Sequence, residues 1–247
     1  MGKLTGVIRF NGKVGEVVAA KDSQGKEYIR KYIDNPKNPN TLPQVKARTQ
    51  FLTNTALASV CKDGAIGLTP RAKQTKLSLT NVLQQVNKKA INTTVAEGGA
   101  SSTIDYTKIQ FSQGAADGIY FRRPASAQDN PLVIESQFND DLASANRNAF
   151  LVVHCPILNR TIIGDPCPTT SGKATVTVPQ TWAGNEVHIY GYVQEFETEG
   201  QAVEYSSYWS DARASGNSVL AHATIRSLSE KAKYGPTQYC GSMEVGD

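Results

Sequence analysis

Residues 174–209 carry the pattern that most limits how this chain can fold. Ala174 to Val178 reads Ala-Thr-Val-Thr-Val, an alternation that places valine on one face of a strand and threonine on the other. Glu186 to Gln194 is a second run rich in β-branched and aromatic residues. Trp182 and Tyr190 are the expected large core side chains. The stretch predicts a β-sandwich and contains no catalytic or cofactor motif.

Seven short strands separated by turn residues are predicted after residue 106, a number and spacing typical of an immunoglobulin-like or fibronectin-like sandwich. The predicted strands are Lys108–Gln113, Pro131–Gln137, Ala149–His154, Thr161–Gly164, Ala174–Val178, Glu186–Gln194 and Tyr205–Trp209. Residues 211–234 fit both strand and helix, and a mixture is expected. Residues 235–247 are expected to form a surface arm or an extra strand.

The N-terminal part is predicted to be a small glycine-rich β-meander. Strands are expected at Leu4–Phe10, Val14–Ala20 and Glu27–Ile33, and Asn11-Gly12 is a dipeptide suited to a two-residue hairpin turn. Glycine contributes no side-chain volume, so this sheet needs another element to pack against.

Two helices follow, and they are expected to form an αα-hairpin over the meander. The first is predicted from Leu42 to about Lys62, after a Thr41 N-cap, and the second from Thr69 to about Asn92. The expected apolar stripes are Val45, Leu52, Ala56 and Val60 with Phe51 at the edge on the first helix, and Leu79, Val82, Leu83, Val86 and Ala90 on the second.

The predicted fold is therefore α+β with two domains. Residues 1–92 are expected to form a basic module of meander and two helices, residues 93–105 a small polar linker, residues 106–210 the sandwich, and residues 211–247 a C-terminal extension. A chain of 247 residues is long enough for two such cores.

Charge is divided unevenly along the chain. Residues 1–92 contain 16 Lys+Arg and 5 Asp+Glu, a net charge of +11, whereas residues 93–247 contain 10 and 17, a net charge of −7.

Cations in the first turns of the predicted helices oppose the helix dipole, so helix stability does not explain them. These cations could form a surface that binds phosphates or an acidic protein. The alternative is that they belong to an ordinary solvent-exposed face. The candidate partner-binding or nucleic-acid-binding residues are Arg30, Lys46, Arg48, Arg71, Lys73 and Lys76.

Aromatic residues lie among these cations. Tyr28, Arg30 and Tyr32 share one face of a predicted strand. Phosphate contacts combined with base stacking are how many proteins hold single-stranded nucleic acid. The alternative is that these tyrosines pack against the two helices, in which case the face is not free to stack on bases.

No cofactor, metal ion or catalytic residue is predicted, and the protein is expected to be non-enzymatic. His154, His188 and His222 are far apart in the sequence, and neither a C-x-x-C pair nor a G-x-S-x-G elbow occurs. A zinc site that includes His154, Cys155 and Cys167 has no recognised spacing. A disulfide between Cys155 and Cys167 across a hairpin remains an open alternative.

The apolar runs are too short to span a membrane, and the N-terminus lacks the apolar segment of a secretory signal. Synthesis in the cytoplasm without export by that route is therefore expected.

Short motifs are spread over most of residues 1–210. They are Met1-Gly-Lys-Leu-Thr-Gly, Asn11-Gly-Lys-Val-Gly15, Tyr28-Ile-Arg30, Asn38-Pro-Asn-Thr41 to Gln44 with Ala47-Arg48 and Phe51, Phe150-Leu-Val-Val, Ala174-Thr-Val-Thr-Val-Pro179, Trp182-Ala-Gly184, Val187-His-Ile-Tyr190 and Ser206-Ser-Tyr208. Together they resemble a family of uncharacterised proteins from Bacteroidetes and their phages and mobile elements. The Gly-Lys-x-Gly and Asn-Pro-x-Thr-x-x-Gln patterns are also similar to segments of small phage-associated proteins. The resemblance implies no activity and no functional residue.

The leading hypothesis is a non-enzymatic structural or assembly protein of a phage or prophage particle. Its basic module would bind a partner, either another copy of the chain or a different structural protein. The sandwich would be displayed on the surface of the particle or would pack against neighbouring subunits. The alternative is a nucleic-acid-binding protein that uses residues 1–92. A third hypothesis is head-to-tail attraction between the basic and acidic halves of different copies, which gives salt-sensitive oligomers without nucleic acid.

Overall fold

The computed structural model describes residues 12–21, 27–32, 40–97, 99–198, 200–215 and 223–246. They belong to two compact units, Met1–Thr41 and Leu42–Asp247. The boundary between the two domains was predicted from the sequence to lie later in the chain, at residues 93–105. The protein is a mixed α+β molecule with several sheets and a few helices.

The unit Met1–Thr41 contains an antiparallel sheet of order β1-β2-β3, formed by Gly12–Val14, Val17–Lys21 and Glu27–Lys31. The predicted first strand, Leu4–Phe10, lies outside the described residues.

The turn between β1 and β2 is at Gly15-Glu16, where Gly15 has φ +60°. Glycine adopts this left-handed conformation without a steric penalty, which suits a two-residue hairpin turn. The predicted turn at Asn11-Gly12 is wrong at Gly12, because that residue lies in β1 opposite Ala19. Asn11 lies outside the described residues.

The helices of the unit Leu42–Asp247 are α1 Leu42–Cys61, α2 Thr69–Thr75, α3 Leu79–Asn87, α4 Gln201–Ala214 and α5 Ala223–Ser229. The predicted second helix is wrong in extent, because the chain leaves the helix between Thr75 and Leu79. Lys76 ends α2 in the left-handed conformation, with φ 55°. Ser78 then begins α3, and its hydroxyl accepts a hydrogen bond from the backbone N–H of Asn81.

The buried face of α1 differs from the predicted stripe. Buried residues are Asn54, Leu57, Ala58 and Cys61, whereas Phe51 and Leu52 are 61% and 67% exposed. Apolar residues occur on several faces of this helix, so its periodicity alone does not select the face that meets the core. The stripe predicted for the second helix is confirmed within α3, since Val82 and Leu83 are fully buried and Leu79 and Val86 pack against the same core. Ala90 is also fully buried, but it lies in the 3-10 turn after α3.

The strands of this unit are β4 Ile91–Ala96, β5 Gly99–Ile104, β6 Tyr120–Phe121, β7 Ala125–Ala127, β8 Asn130–Asn139, β9 Arg147–Cys155, β10 Arg160–Ile163, β11 Cys167–Pro168, β12 Lys173–Thr177, β13 Glu186–Glu195, β14 Lys233–Tyr234 and β15 Gln238–Glu244. One sheet has the order β10-β9-β13-β14, with β11 paired to β9 and β15 paired to β13. A second has the order β12-β8-β6, with β7 paired to β8.

Five of the seven predicted sandwich strands are present, as β8, β9, β10, β12 and β13. The strand predicted at Lys108–Gln113 is wrong, because the backbone N–H groups of Phe111 and Ser112 donate to the hydroxyl of Thr237 instead of to a neighbouring strand. The strand predicted at Tyr205–Trp209 is also wrong, because that segment lies in α4. The buried residues of α4 follow a helical spacing, and they are Ala202, Tyr205, Trp209 and Ala212.

The segment predicted as a linker, residues 93–105, is largely a β-hairpin formed by β4 and β5. Small polar residues support the pairing, as the hydroxyl oxygens of Thr93 and Ser102 lie 2.7 Å apart across the strands. Small polar composition is compatible with both a loop and a hairpin, so composition alone did not distinguish them.

The six-stranded sheet is buried on both faces at its central strand β9. Every residue of β9 is buried. Leu151 and Val153 share a core with Ile134 of the four-stranded sheet, and the alternate residues Phe150 and Val152 share a second core with the helices. The unit therefore has three layers, with helices on one side of the central sheet and a second sheet on the other. Trp182 and Tyr190 are both buried, as predicted.

All four cysteines are free thiols, so Cys155 and Cys167 form no disulfide. Within the described ranges, no helix combines the length and hydrophobicity that a membrane span requires.

Candidate functional site

The six predicted binding residues are distributed over the two units. Arg30 lies in β3, opposite Val18, and its side chain lies outside the described part of the structure. Lys46 and Arg48 lie in the first two turns of α1 and are exposed. The other three belong to α2 and the residue that follows it.

The N-terminal turns of α1 are basic. This helix has no acidic residue in its first turn, and no Asp or Glu occurs between Leu42 and Cys61. Lys46 and Arg48 are the fifth and seventh residues of α1, beyond the first turn, where the effect of the helix dipole is strongest. The helix dipole therefore gives no strong reason for or against a cation at either position.

The expectation that Lys73 and Lys76 oppose a helix dipole is wrong. Because α2 ends at Thr75, Lys73 lies in its last turn and Lys76 caps its C-terminus. Cations at a helix C-terminus interact favourably with the dipole. Arg71 is engaged differently, since its guanidinium donates a hydrogen bond to the side-chain carbonyl of Gln113.

A groove of about 700 Å³ lies between α2, the start of α3 and α5. Two of the predicted residues, Lys73 and Lys76, line this groove. The other charged residues that line it are Lys62, Arg226, Asp63 and Glu230. The groove thus collects four cations and two carboxylates from segments that are distant in the sequence. We refer to it as the basic groove.

Glu230 neutralises part of the basic groove. Its carboxylate lies 3.0 Å from the Lys73 ammonium and 3.4 Å from Nε of Arg226. The hydrogen bond from Lys73 lowers the pKa of Glu230, with smaller contributions from the charges of Lys73 and Arg226. Lys62 and Lys76 form no ion pair with the residues that the structure describes.

Lys62 and Arg226 were missed by the sequence reasoning. Lys62 directly follows α1, and its position beside the second helical segment depends on how the chain turns back. Arg226 lies in a part of the chain whose secondary structure was ambiguous. In the structure Ile225 and Leu228 are both buried on α5. Their spacing of three residues is helical, but one such pair is a weak signal in the sequence.

A second polar cluster lies where the central sheet meets the helical layer. His154 and His188 are far apart in the sequence but lie directly opposite each other on β9 and β13. The ring of Tyr106 stacks on His188 with centroids 4.3 Å apart. His154 Nδ1 lies 3.0 Å from the Thr161 hydroxyl, and His188 Nδ1 lies 3.0 Å from the Tyr239 hydroxyl.

Burial dominates the electrostatics of this second cluster. It lowers the pKa of His154 to about 4, and the neighbouring His188 lowers it further. Burial also lowers the pKa of His188. Burial raises the pKa of the nearby Cys61 thiol to about 12. Both imidazoles are therefore neutral near pH 7, and the Cys61 thiol is protonated and a poor nucleophile.

The zinc site weighed from the sequence does not form. His154 belongs to the face of β9 that meets the helices, while Cys155 packs in the core between the two sheets. Consecutive residues of a strand point to opposite faces, so these two cannot share one ion. Across the described ranges, no three His, Cys, Asp or Glu side chains are close enough to hold a metal ion.

A family model described as a family of unknown function (DUF6266) matches residues 9–210. This match confirms the resemblance to an uncharacterised family that the sequence motifs indicated. No curated protein and no solved structure matches the chain.

Proposed function

This chain belongs to the family of unknown function DUF6266, and we propose that it is a non-enzymatic structural or assembly protein. Its partner would be a protein surface rich in carboxylates, and the particle in which it assembles would be a phage or prophage virion. The virion part of the proposal carries over the expectation from the sequence analysis, where the motifs Gly12-Lys-Val-Gly15 and Asn38–Gln44 resemble segments of phage-associated proteins.

The observation that carries this proposal is the charge of the helical layer. Residues 42–90 contain eight Lys or Arg and one acidic residue. Exposed members include Lys46, Lys62, Lys76, Lys88 and Lys89. Such a concentration of one sign of charge steers an oppositely charged partner and sets its orientation.

The sheets supply the scaffold in this proposal. The order β7-β8-β12 in one sheet and β10-β9-β13-β15 in the other supports an immunoglobulin-like or fibronectin-like sandwich. In this reading α4 and α5 are inserted between the last two strands of the sandwich, β13 and β15. Together with α1 and α3, they cover one face of the central sheet. In this proposal α1 and α3 would form the αα-hairpin expected from the sequence, which is supported by the hydrogen bond that the Asn54 side chain donates to Gln84 O, 2.9 Å long.

Association measurements test the proposal. We expect size-exclusion chromatography, negative-stain microscopy and recovery from native particles to show complexes that dissociate with salt. The variant K46E/K76E should lose this association, and R122E/R123E, which makes the same change of charge at exposed residues before β7, should keep it. A strictly monomeric protein at high concentration, with no partner recovered from native material, contradicts the proposal.

A nucleic-acid-binding protein is the second candidate, and it is favoured by one observation. Phe51 is 61% exposed and lies one helical turn after Arg48 on α1. An exposed aromatic ring beside cations can stack on an unpaired base while the cations contact phosphates. Fluorescence anisotropy with a single-stranded oligonucleotide should show binding that weakens steeply with salt and is reduced by F51A. The absence of binding at about 50 mM salt would end this alternative.

A further inference from the structure

We propose that the basic groove is a binding site for a small phosphate-bearing molecule. This inference goes beyond the proposed function, because a small ligand and a docked protein are measured separately. It starts from the size of the groove. A volume of about 700 Å³ is within the range of roughly 300–1,000 Å³ that small-molecule sites occupy.

The charges in the groove indicate an anionic ligand. Among the described residues that line the groove, four cations outnumber two carboxylates, which gives a positive net charge. Lys73 and Arg226 already share Glu230, but Lys62 and Lys76 form no ion pair with described residues. Two ammonium groups at one groove are therefore available to phosphate oxygens, and Lys is a common phosphate ligand in proteins.

The other residues that line the groove add two further features. Ala72, Leu77 and Leu79 contribute apolar surface, on which an uncharged part of the ligand can lie. Leu79 and Thr80, the first two residues of α3, also line the groove, and the first backbone N–H groups of a helix have no acceptor within the helix. They complement the lysines, which remain the main basis for binding an anion.

Glu230 acts as an internal competitor in this arrangement. Its carboxylate occupies Lys73 and Arg226 at 3.0 and 3.4 Å. A phosphate that enters the groove competes with this carboxylate for the same two cations and is repelled by its charge. Replacing Glu230 by the uncharged Gln should therefore strengthen binding. A purely structural role for the ion pairs does not predict such a gain.

Isothermal titration of the full chain with inorganic pyrophosphate at low salt tests the proposal. We expect saturable binding with one site per chain. The variant K62E/K76E should weaken it by about tenfold or more, because two charge-assisted contacts are lost. The matched control K88E/K89E changes two exposed lysines of the same helical layer that do not line the groove, and it should stay within about twofold of the wild type. E230Q should bind pyrophosphate several times more tightly.

Three outcomes would overturn the inference. They are the absence of saturable pyrophosphate binding, an equal loss in K62E/K76E and K88E/K89E, and a weakening in E230Q. A parallel titration with a short single-stranded oligonucleotide separates the two sources of phosphate. If the oligonucleotide binds through Lys62 and Lys76 but pyrophosphate does not bind, the groove belongs to a nucleic-acid surface and the small-ligand site is wrong. If pyrophosphate does not bind, the proposed structural or assembly function can still be correct, because association between proteins is measured separately.

Discussion

The ammonium group of Lys73 lies 3.0 Å from the carboxylate of Glu230. This contact joins the last turn of α2 to the residue that follows α5, across more than half of the chain. Both partners retain contact with solvent, as their side chains are 59% and 20% exposed. The pair is therefore a weak link between two helical segments, and a competing charge can open it.

A double-mutant cycle with K73M and E230Q measures this link. We expect a coupling energy of about 0.2–1 kcal/mol from urea unfolding at low salt, because water screens partly exposed pairs. The coupling should shrink at about 1 M salt, where the Debye length is short. A coupling above about 2 kcal/mol, or one that salt leaves unchanged, contradicts this description of the pair.

Replacing Trp209 by Ala should strongly destabilise the protein. Trp209 is fully buried, its indole N–H donates to Asp165 Oδ1 at 2.9 Å, and its ring packs on Phe150 of the central sheet. We expect a loss of about 3–5 kcal/mol in the free energy of unfolding, measured by urea denaturation. The control V203A changes a 64% exposed residue of the same helix, and its effect should stay within about 0.5 kcal/mol. Equal effects of the two variants would mean that α4 does not dock through Trp209.

Replacing Gly191 by Ala tests how closely the two sheets approach. A methyl group at Gly191 of β13 would lie 2.3 Å from Cδ2 of Phe121, well inside van der Waals contact. We expect G191A to cost about 1–3 kcal/mol in the free energy of unfolding, because the core must shift. G118A is the control, since its nearest neighbour is the Pro236 ring at 3.6 Å. If G191A is as stable as the wild type, the two sheets are not in this close contact.

His154 should make the protein less stable as the pH falls. The pKa of His154 is lowered by burial to about 4, against 6.5 for the ordinary side chain. Between these values the unfolded chain binds the proton and the folded chain does not, so this contribution is complete above pH 6.5 and is lost toward pH 4. It amounts to up to about 3 kcal/mol.

Urea unfolding between pH 7 and pH 4.5 measures this effect, with H154Q as the variant that cannot titrate. The free energy of unfolding should fall less steeply with decreasing pH in H154Q than in the wild type. H188Q is the control and should change the slope less, because His188 is only half-buried. Parallel pH profiles for the wild type and H154Q contradict the assignment.

Predictions from the sequence succeeded where the signal is local. The alternation of valine and threonine in β12 and the apolar spacing of α3 each reflect the geometry of a single element, and both were identified correctly. Tyr205–Trp209 was misread as a strand, because aromatic and small residues suit both elements. Its helical spacing becomes clear only when Ala202 and Ala212 are included.

The candidate site was only partly accessible to prediction. Lys73 and Lys76 were named from local charge, and both line the basic groove. Lys62 and Arg226 could not be joined to them, because their proximity depends on the docking of α5 against α2.

The sequence by itself determined which segments alternate as strands, which repeat as helices, and that the front of the chain is basic, because these are properties of neighbouring residues. Only the tertiary structure decided which face of α1 is buried, where the second helix breaks, and that the core strands β9 and β13 bring His154 and His188 together. It also assembled the basic groove from three distant segments. The physical reason is that burial and ion pairing are set by contacts between residues far apart in the chain, and the local pattern is compatible with more than one such set of contacts.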